Sequence, residues 1–343
     1  MMKIGLVGLG YWGPNLLRNF LAIPDLDIII CDKNPLILDK FLKKHKGLSG
    51  TLDVDELLCD PTIQGIVLAT PVDSHFVLGK KVLEQGKHLF VEKPLTANLK
   101  EAQILFDLAE TKKVALLTGH IFLFSPTIQY AKKMLENNEL GELLYMHSIR
   151  TNLGPIRKDI DVLWDLAPHD VSIFNYWMGS YPEKVSAHGH SLLAHKKNDL
   201  IYCTFQYGNN VSAHCHCSWV TPKKIRQIML VGSKKLLIID DMNLQEPLRI
   251  HNKGIGSEAL WDMDYVQYLS SQGDGDVFIP KIQLNEPLAQ ECLSFIERIK
   301  GGPKSLVEGH CGLDVVKCLV AAGKSIDLGG GIVELASAMV SEY

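Results

Sequence analysis

Short apolar runs alternate with amphipathic stretches through the first third of the chain. Ile4-Gly5-Leu6-Val7 reads as a strand. Residues 14–21 place Leu16, Leu17, Phe20 and Leu21 on one helical stripe, with Pro14 tolerated in the first turn. A second strand covers 27–31, and Asn34-Pro35 caps a helix running to about residue 46. The same reading gives strands at 65–69, 88–91 and 114–117 and helices at 74–85 and 98–112. Strands apolar on both faces, separated by amphipathic helices, predict a parallel sheet covered on both sides.

The pattern changes after Gly119. A helix over 126–138 leads to a strand at 143–149, and a second helix lies around 168–178. Longer strands follow at 185–191, 200–206, 211–219, 224–232 and 235–239, with Asn209-Asn210 and Ser233-Lys234 as hairpin turns. Residues 286–300 and 312–325 are helical again. The expected α/β chain therefore has a first domain at 1–118. A second α/β domain follows at 119–343, with an open, mostly antiparallel sheet.

A length of 343 residues suits two domains. A hydrophobic fraction of 46% and a charged fraction of 22% exclude disordered and disulfide-scaffold classes. The net charge of -4 is scattered, which argues against nucleic acid as a partner. Eight cysteines show no C-x-x-C pair, several of them inside apolar runs, and predict free thiols in a reducing, cytoplasmic setting. No apolar run reaches the roughly 18 residues of a membrane helix. Met1 to Gly8 reads as a buried strand followed by glycines, not as a signal peptide.

Gly8-Leu9-Gly10-Tyr11-Trp12-Gly13 fits G-x-G-x-x-G where a strand gives way to a helix, and Asp32 closes the unit 19 residues after Gly13. Gly8 permits the tight turn, Gly10 lets a pyrophosphate approach the backbone, and Gly13 allows close helix–sheet packing. Asp32 accepts a ribose hydroxyl and repels a 2′-phosphate, so NAD is expected over NADP. Thr70-Pro71 and His75 follow the next strand and border the nicotinamide ribose, with a local hydrogen bond as the other role open to His75. In Glu92-Lys93-Pro94 the lysine leaves an apolar strand at its carboxyl end, where ligands of such sheets lie, and proximity to the nicotinamide suits it to proton transfer. Asp165 and His169 are four apart and share a face if a helix begins there. Such a pair works as an oriented base, though a capping aspartate beside a packed histidine has the same spacing.

Together these residues resemble the glucose–fructose oxidoreductase / inositol dehydrogenase (Gfo/Idh/MocA) family along essentially the whole chain. The resemblance implies an NAD-binding Rossmann domain at 1–118 and a substrate-binding and oligomerisation domain at 119–343. It also implies hydride transfer between a sugar hydroxyl and NAD, and a homodimer or homotetramer. Gly119-His120-Ile121-Phe122, Glu139-Leu140-Gly141-Glu142, Asn152-Leu153-Gly154, the run from Val162 to Asp170, and Gly275-Asp276-Val277 leading to Glu286-Pro287-Leu288 are similar to the UDP-N-acetylglucosamine(uronate) 3-dehydrogenases. Asp161 stands where that branch commonly has asparagine, and Ile121 where it has a small polar residue; the added negative charge argues against a uronate. The implied roles are catalysis by Lys93, His169 and Asp165, cofactor contacts from Tyr11, Trp12 and Glu92, and substrate contacts from Lys93, Asp165 and His169. Arg150, Asn152, Arg157 and Lys158 flank the substrate pocket in sequence. Two other readings remain: an NAD-using glycosidase on this fold, and a non-catalytic NAD-sensing regulator, against which Lys93, Asp165 and His169 argue.

His214-Cys215-His216-Cys217 invites a metal reading, but strand alternation sends the histidines to one face and the cysteines to the other, so no metal is expected there. Asp274-Gly275-Asp276 lacks the glutamate of a calcium loop and suits a hairpin turn. Trp164 and Tyr176 are candidates for stacking on a base, while Trp177 suits a helix core.

Overall fold

The computed structural model describes residues 2–154, 156–157, 159–193, 197–254 and 275–338. Lys158 and Asp274, singled out above, lie outside them. The chain forms two compact units, residues 1–124 with 285–317, and 125–284 with 318–343. This differs from one cut at residue 118, because a late segment returns to the first unit.

The first unit holds β1 (Met2–Val7), α1 (Gly13–Leu21), β2 (Leu26–Cys31), α2 (Pro35–Lys44), β3 (Ser49–Thr51), α3 (Val54–Cys59), β4 (Ile63–Leu68), α4 (His75–Glu84), β5 (His88–Val91), α5 (Leu99–Lys112) and β6 (Leu116–Thr118). Its six strands are all parallel, in the order β3-β2-β1-β4-β5-β6. That is the doubly wound arrangement, with the ligand edge where the order reverses between β1 and β4. Local sequence sets the helix starts. The Asn34 side chain accepts from Leu36 N at 3.0 Å, and Asn98 accepts from Lys100 N at 2.8 Å. The returning helix α8 (Pro287–Ile299) turns Leu288, Cys292, Phe295 and Ile296 into the core. Phe295 meets Phe20 and Phe90 edge-on, and Gly65 on β4 leaves room for its ring.

The second unit holds α6 (Pro126–Glu136), β7 (Leu143–Leu153), α7 (Val162–Met178), β8 (Lys184–His190), β9 (Leu200–Gln206), β10 (Ser212–Ser218), β11 (Val220–Gly232), β12 (Leu236–Asp240), β13 (Leu248–His251), β14 (Val277–Phe278) and β15 (Val333–Glu334). Among the described residues its strands form one sheet, β14-β13-β12-β11-β7-β10-β9-β8-β15, in which the β7–β10 pair is parallel and the others are antiparallel. Asn209 and Asn210 both adopt φ +58 and turn β9 into β10, as predicted. One face is sealed: Cys203, Phe205, Ala213, Cys215 and Cys217 are buried beneath α7. The other carries Tyr145, His147, Tyr202, His214 and His216, exposed or half-exposed. The His-Cys-His-Cys run thus alternates as expected. Helix α9 (His310–Asp327) is divided between the units at Lys317–Cys318.

Candidate active site

The glycine turn is shaped for a backbone-bound ligand. Gly8 sits at φ +94, and a Cβ there would lie 2.7 Å from the Ala69 carbonyl oxygen. A Cβ on Gly13 would collide with the Gly8 carbonyl, whereas one on Gly10 would meet nothing within 4 Å. The space beside Gly10 is therefore open to a ligand. No side chain caps the N-terminus of α1, which leaves its first amide groups for an anion. Tyr11 is 94% exposed at the rim, and Trp12 is half-buried. Asp32 is tied to this turn: Leu9 N donates to Oδ2 and Asn34 N to Oδ1, each at 2.8 Å. These features fit a dinucleotide with its pyrophosphate on α1 and a ribose at Asp32.

Beyond β4, Thr70 is half-buried and Pro71 exposed. Of the two roles open to His75, the structure shows the hydrogen-bonded one. It is 1% exposed, with Nδ1 2.9 Å from the Pro94 carbonyl oxygen and Nε2 2.9 Å from that of Thr70. Its ring ties the loops after β4 and β5 together, and burial pushes its pKa down.

Glu92 follows β5 with Oε1 buried and without a hydrogen-bond partner, while Lys93 N donates to Oε2 at 3.3 Å and the Trp12 side chain favours the charged carboxylate. Burial pushes its pKa up to about 7 against the pull of Lys93. Gly119 leaves room for this carboxylate, which would lie 3.0 Å from a Cβ there. His120, next in the chain, is fully buried with neither ring nitrogen hydrogen-bonded among the described residues. Burial, and then the Lys93 charge, push its pKa down to about 3. Lys93 thus sits among a protonatable carboxyl and a neutral imidazole at the carboxyl edge of the sheet.

In the second unit, Asp161 caps α7 by accepting from Trp164 N at 3.2 Å. The helix starts six residues before the Pro168 that the sequence reading took as its beginning. Asp165 and His169 project one turn apart, both half-buried. Asp165 Oδ1 accepts from Arg157 Nη1 at 3.2 Å and Oδ2 from Trp219 Nε1 at 3.1 Å. Asn152 lies against Gly154. Arg150 corrects the sequence reading of a substrate-binding arginine. It is 2% exposed, its Nε and Nη2 fork onto Asp170 at 2.9–3.2 Å, and Asp170 is fully buried, so these two nitrogens are held inside the fold. Trp177 is core, as expected. Sequence reasoning missed His120, Trp219 and Glu291. The last had a signal: Glu291 falls on the apolar stripe of α8, where a carboxylate needs a reason.

The fold and turn define an α/β dinucleotide-binding protein. Residues 2–120 match the model of an oxidoreductase family with an NAD-binding Rossmann fold, and residues 128–238 match the GFO/IDH/MocA C-terminal domain. The chain belongs to the GFO/IDH/MocA oxidoreductase family, and NAD is its cofactor. A UDP-N-acetylglucosamine 3-dehydrogenase from Acidithiobacillus ferrooxidans is 26% identical over 265 residues, 75% of this chain and 79% of that one. Its solved structure superposes with a TM-score of 0.81 at 22% identity, covering 95% and 98% of the two chains. A 2,7-anhydro-N-acetylneuraminate hydratase from Escherichia coli is 24% identical over 267 residues, 73% and 70% of the two chains. The structure of GenD2 from gentamicin A biosynthesis, in complex with NAD, has a TM-score of 0.81 at 21% identity and covers 97% and 96%. Among the described residues no helix is long and apolar enough to cross a membrane.

Proposed function

We propose that this NAD-dependent dehydrogenase oxidises a secondary hydroxyl of a sugar, specifically C3 of a nucleotide-linked N-acetylhexosamine such as UDP-N-acetylglucosamine. The observation that carries the reading is Lys93, which leaves β5 at the ligand edge of the sheet between Glu92 and Pro94. NAD supplies the hydride acceptor for the carbinol hydrogen. His169 takes the hydroxyl proton as the alcohol becomes a ketone, and Asp165 orients it. Lys93 holds the substrate oxygen as charge develops on it. Arg157 and Trp219 support the reading by fixing the Asp165 carboxylate from two sides. Asp161 is spent on capping, so it does not decide between the neutral sugar and its uronate. The half-exposed tyrosine and histidine face of the second sheet is suited to self-association as a homodimer or homotetramer.

The experiment is NADH formation with UDP-N-acetylglucosamine, its uronate, UDP-glucose and an inositol. Turnover is expected with the UDP-N-acetyl sugars. Lys93→Ala and His169→Ala should each lower it by about 10²–10⁴-fold, with NAD affinity changed only a few fold. No NADH with any of the four, or full turnover by Lys93→Ala, would defeat the reading. The similarity to a hydratase favours one alternative, lyase chemistry in which NAD is reduced and reoxidised within a turnover. Its mark is sugar conversion without accumulated NADH.

A further inference from the structure

The core of the first unit contains a carboxyl that the proposed chemistry does not use. Glu291 is fully buried on α8, and neither of its oxygens has a hydrogen-bond partner among the described residues. Such a group costs about 1–3 kcal/mol or more unless something compensates it. Its place follows from packing. Phe295, one turn later on the same helix face, packs on Phe90 with ring centroids 5.8 Å apart. Glu92 follows Phe90 by two residues, and its N still donates to Leu68 O at 2.9 Å, so the strand pleat extends through it. Phe90 and Glu92 therefore share a strand face. With Phe90 against Phe295, the face that carries Glu92 is the one α8 covers, and Glu291 and Glu92 interact electrostatically there.

We propose that Glu291 is a positioning residue that acts through Glu92, the two buried carboxyls sharing one negative charge directly behind Lys93. Two carboxylates in one water-poor space do not both ionise, and their titration belongs to the pair. Lys93 and the Trp12 indole favour the charge on Glu92, which leaves the proton on Glu291. Burial, and then the Glu92 charge, raise Glu291 well above the carboxylate range. The other groups facing the pair oppose a second charge or are neutral. His120 is an uncharged imidazole, and the buried Cys292 and half-buried Cys311 are thiols with raised pKa. Arg18 on α1 is spent on Glu286 at the start of α8, and Asp314 on α9 pairs with Lys317. The pair gains its single charge near neutral pH, beside the place the nicotinamide takes under the function proposed above.

That charge favours the cationic ring of NAD over neutral NADH, and the affinity ratio reads it. The experiment titrates NAD, NADH and ADP-ribose from about pH 5.5 to 9 on the wild type, Glu92→Gln, Glu291→Gln and the double variant. The wild-type NAD-to-NADH affinity ratio should rise several-fold across one midpoint near 7. Glu291→Gln should keep a single step. In Glu92→Gln the charge should pass to Glu291, so the step should persist at a displaced, higher midpoint. The double variant should be flat, and ADP-ribose should be flat in all four. A Glu92→Gln profile as flat as the double variant, with ADP-ribose still bound, overturns the shared charge alone. Failure of ADP-ribose to bind the wild type overturns the cofactor placement and this proposal with it.

Discussion

Arg150 tests whether a charged residue near the site in sequence serves substrate or fold. Arg150→Met keeps a stem of similar length and removes the guanidinium. Three of its nitrogen–oxygen contacts to Asp170 fall at 2.9–3.2 Å, and both side chains are essentially out of water at 3% and 1% exposure. Removing one partner of such a pair costs about 3–5 kcal/mol, because the other is left charged in the core. For a unit of this size that lowers the melting temperature by roughly ten degrees. Cys217 Sγ, 3.7 Å from Asp170 Oδ2, is too weak a donor to compensate. Arg150→Met/Asp170→Leu should recover most of the loss, since replacing both partners of a buried pair with apolar groups is often close to neutral. Urea and thermal unfolding, followed by tryptophan fluorescence and circular dichroism, measure the coupling. A single-variant loss below about 1 kcal/mol, together with a large rise in sugar KM, would refute the reasoning and return Arg150 to the substrate.

Gly10→Ala should leave thermal stability nearly unchanged and weaken NAD binding strongly, because its Cβ fills only the ligand's space, whereas Gly13→Ala should lose both. Unfolding scans with and without NAD separate the two, and equal behaviour would sink the assignment. Asp32→Ala should weaken NAD and narrow its advantage over NADP, and wild-type NADP binding as tight as NAD would count against the role of Asp32. His120, held neutral down to about pH 3 against an ordinary value of 6.5, contributes stability that is full above 6.5 and is lost as pH falls toward 3. From pH 7 to 5 that loss is on the order of 2 kcal/mol, and His120→Leu should show a shallower acid dependence by urea unfolding; an unchanged slope would contradict it.

The parallel sheet was legible because every long strand in it is apolar on both faces and its helices begin at readable signals such as Asn34, Asn98 and the glycine turn. β3 and α3 were not predicted: three partly exposed residues and a helix of six carry too little periodicity. Pro168 misled the reading of α7. A proline usually marks a helix start, but here Asp161 caps the helix seven residues earlier and Pro168 lies inside it. The turn, Asp32 and Lys93 could be placed from spacing alone. His75 and Arg150 could not, since spacing shows where a residue leaves the backbone and not whether neighbours bury it. The return of 285–317 to the first unit had no local mark, because an amphipathic helix does not name the face it covers.

That return joins stability to chemistry. α8 contributes Phe295 to the cluster with Phe20 and Phe90, and burying such a ring is worth about 1.5–3 kcal/mol. The same register carries Glu291 to the carboxyl end of β5, where its unmet hydrogen bonds cost a comparable amount. Phe295, with Leu288, Cys292 and Ile296 on the same buried face, holds Glu291 there. A shift of one residue would swing the carboxyl by about 100° around the helix axis and release it toward water. The aromatic contact therefore offsets a polar burden that packing alone would discard, and the burden interacts with Glu92. Costs of this kind persist where the surrounding structure over-determines them, and they cluster at functional sites. In this protein the over-determining element is α8, held in the core of the first unit by Leu288, Cys292, Phe295 and Ile296.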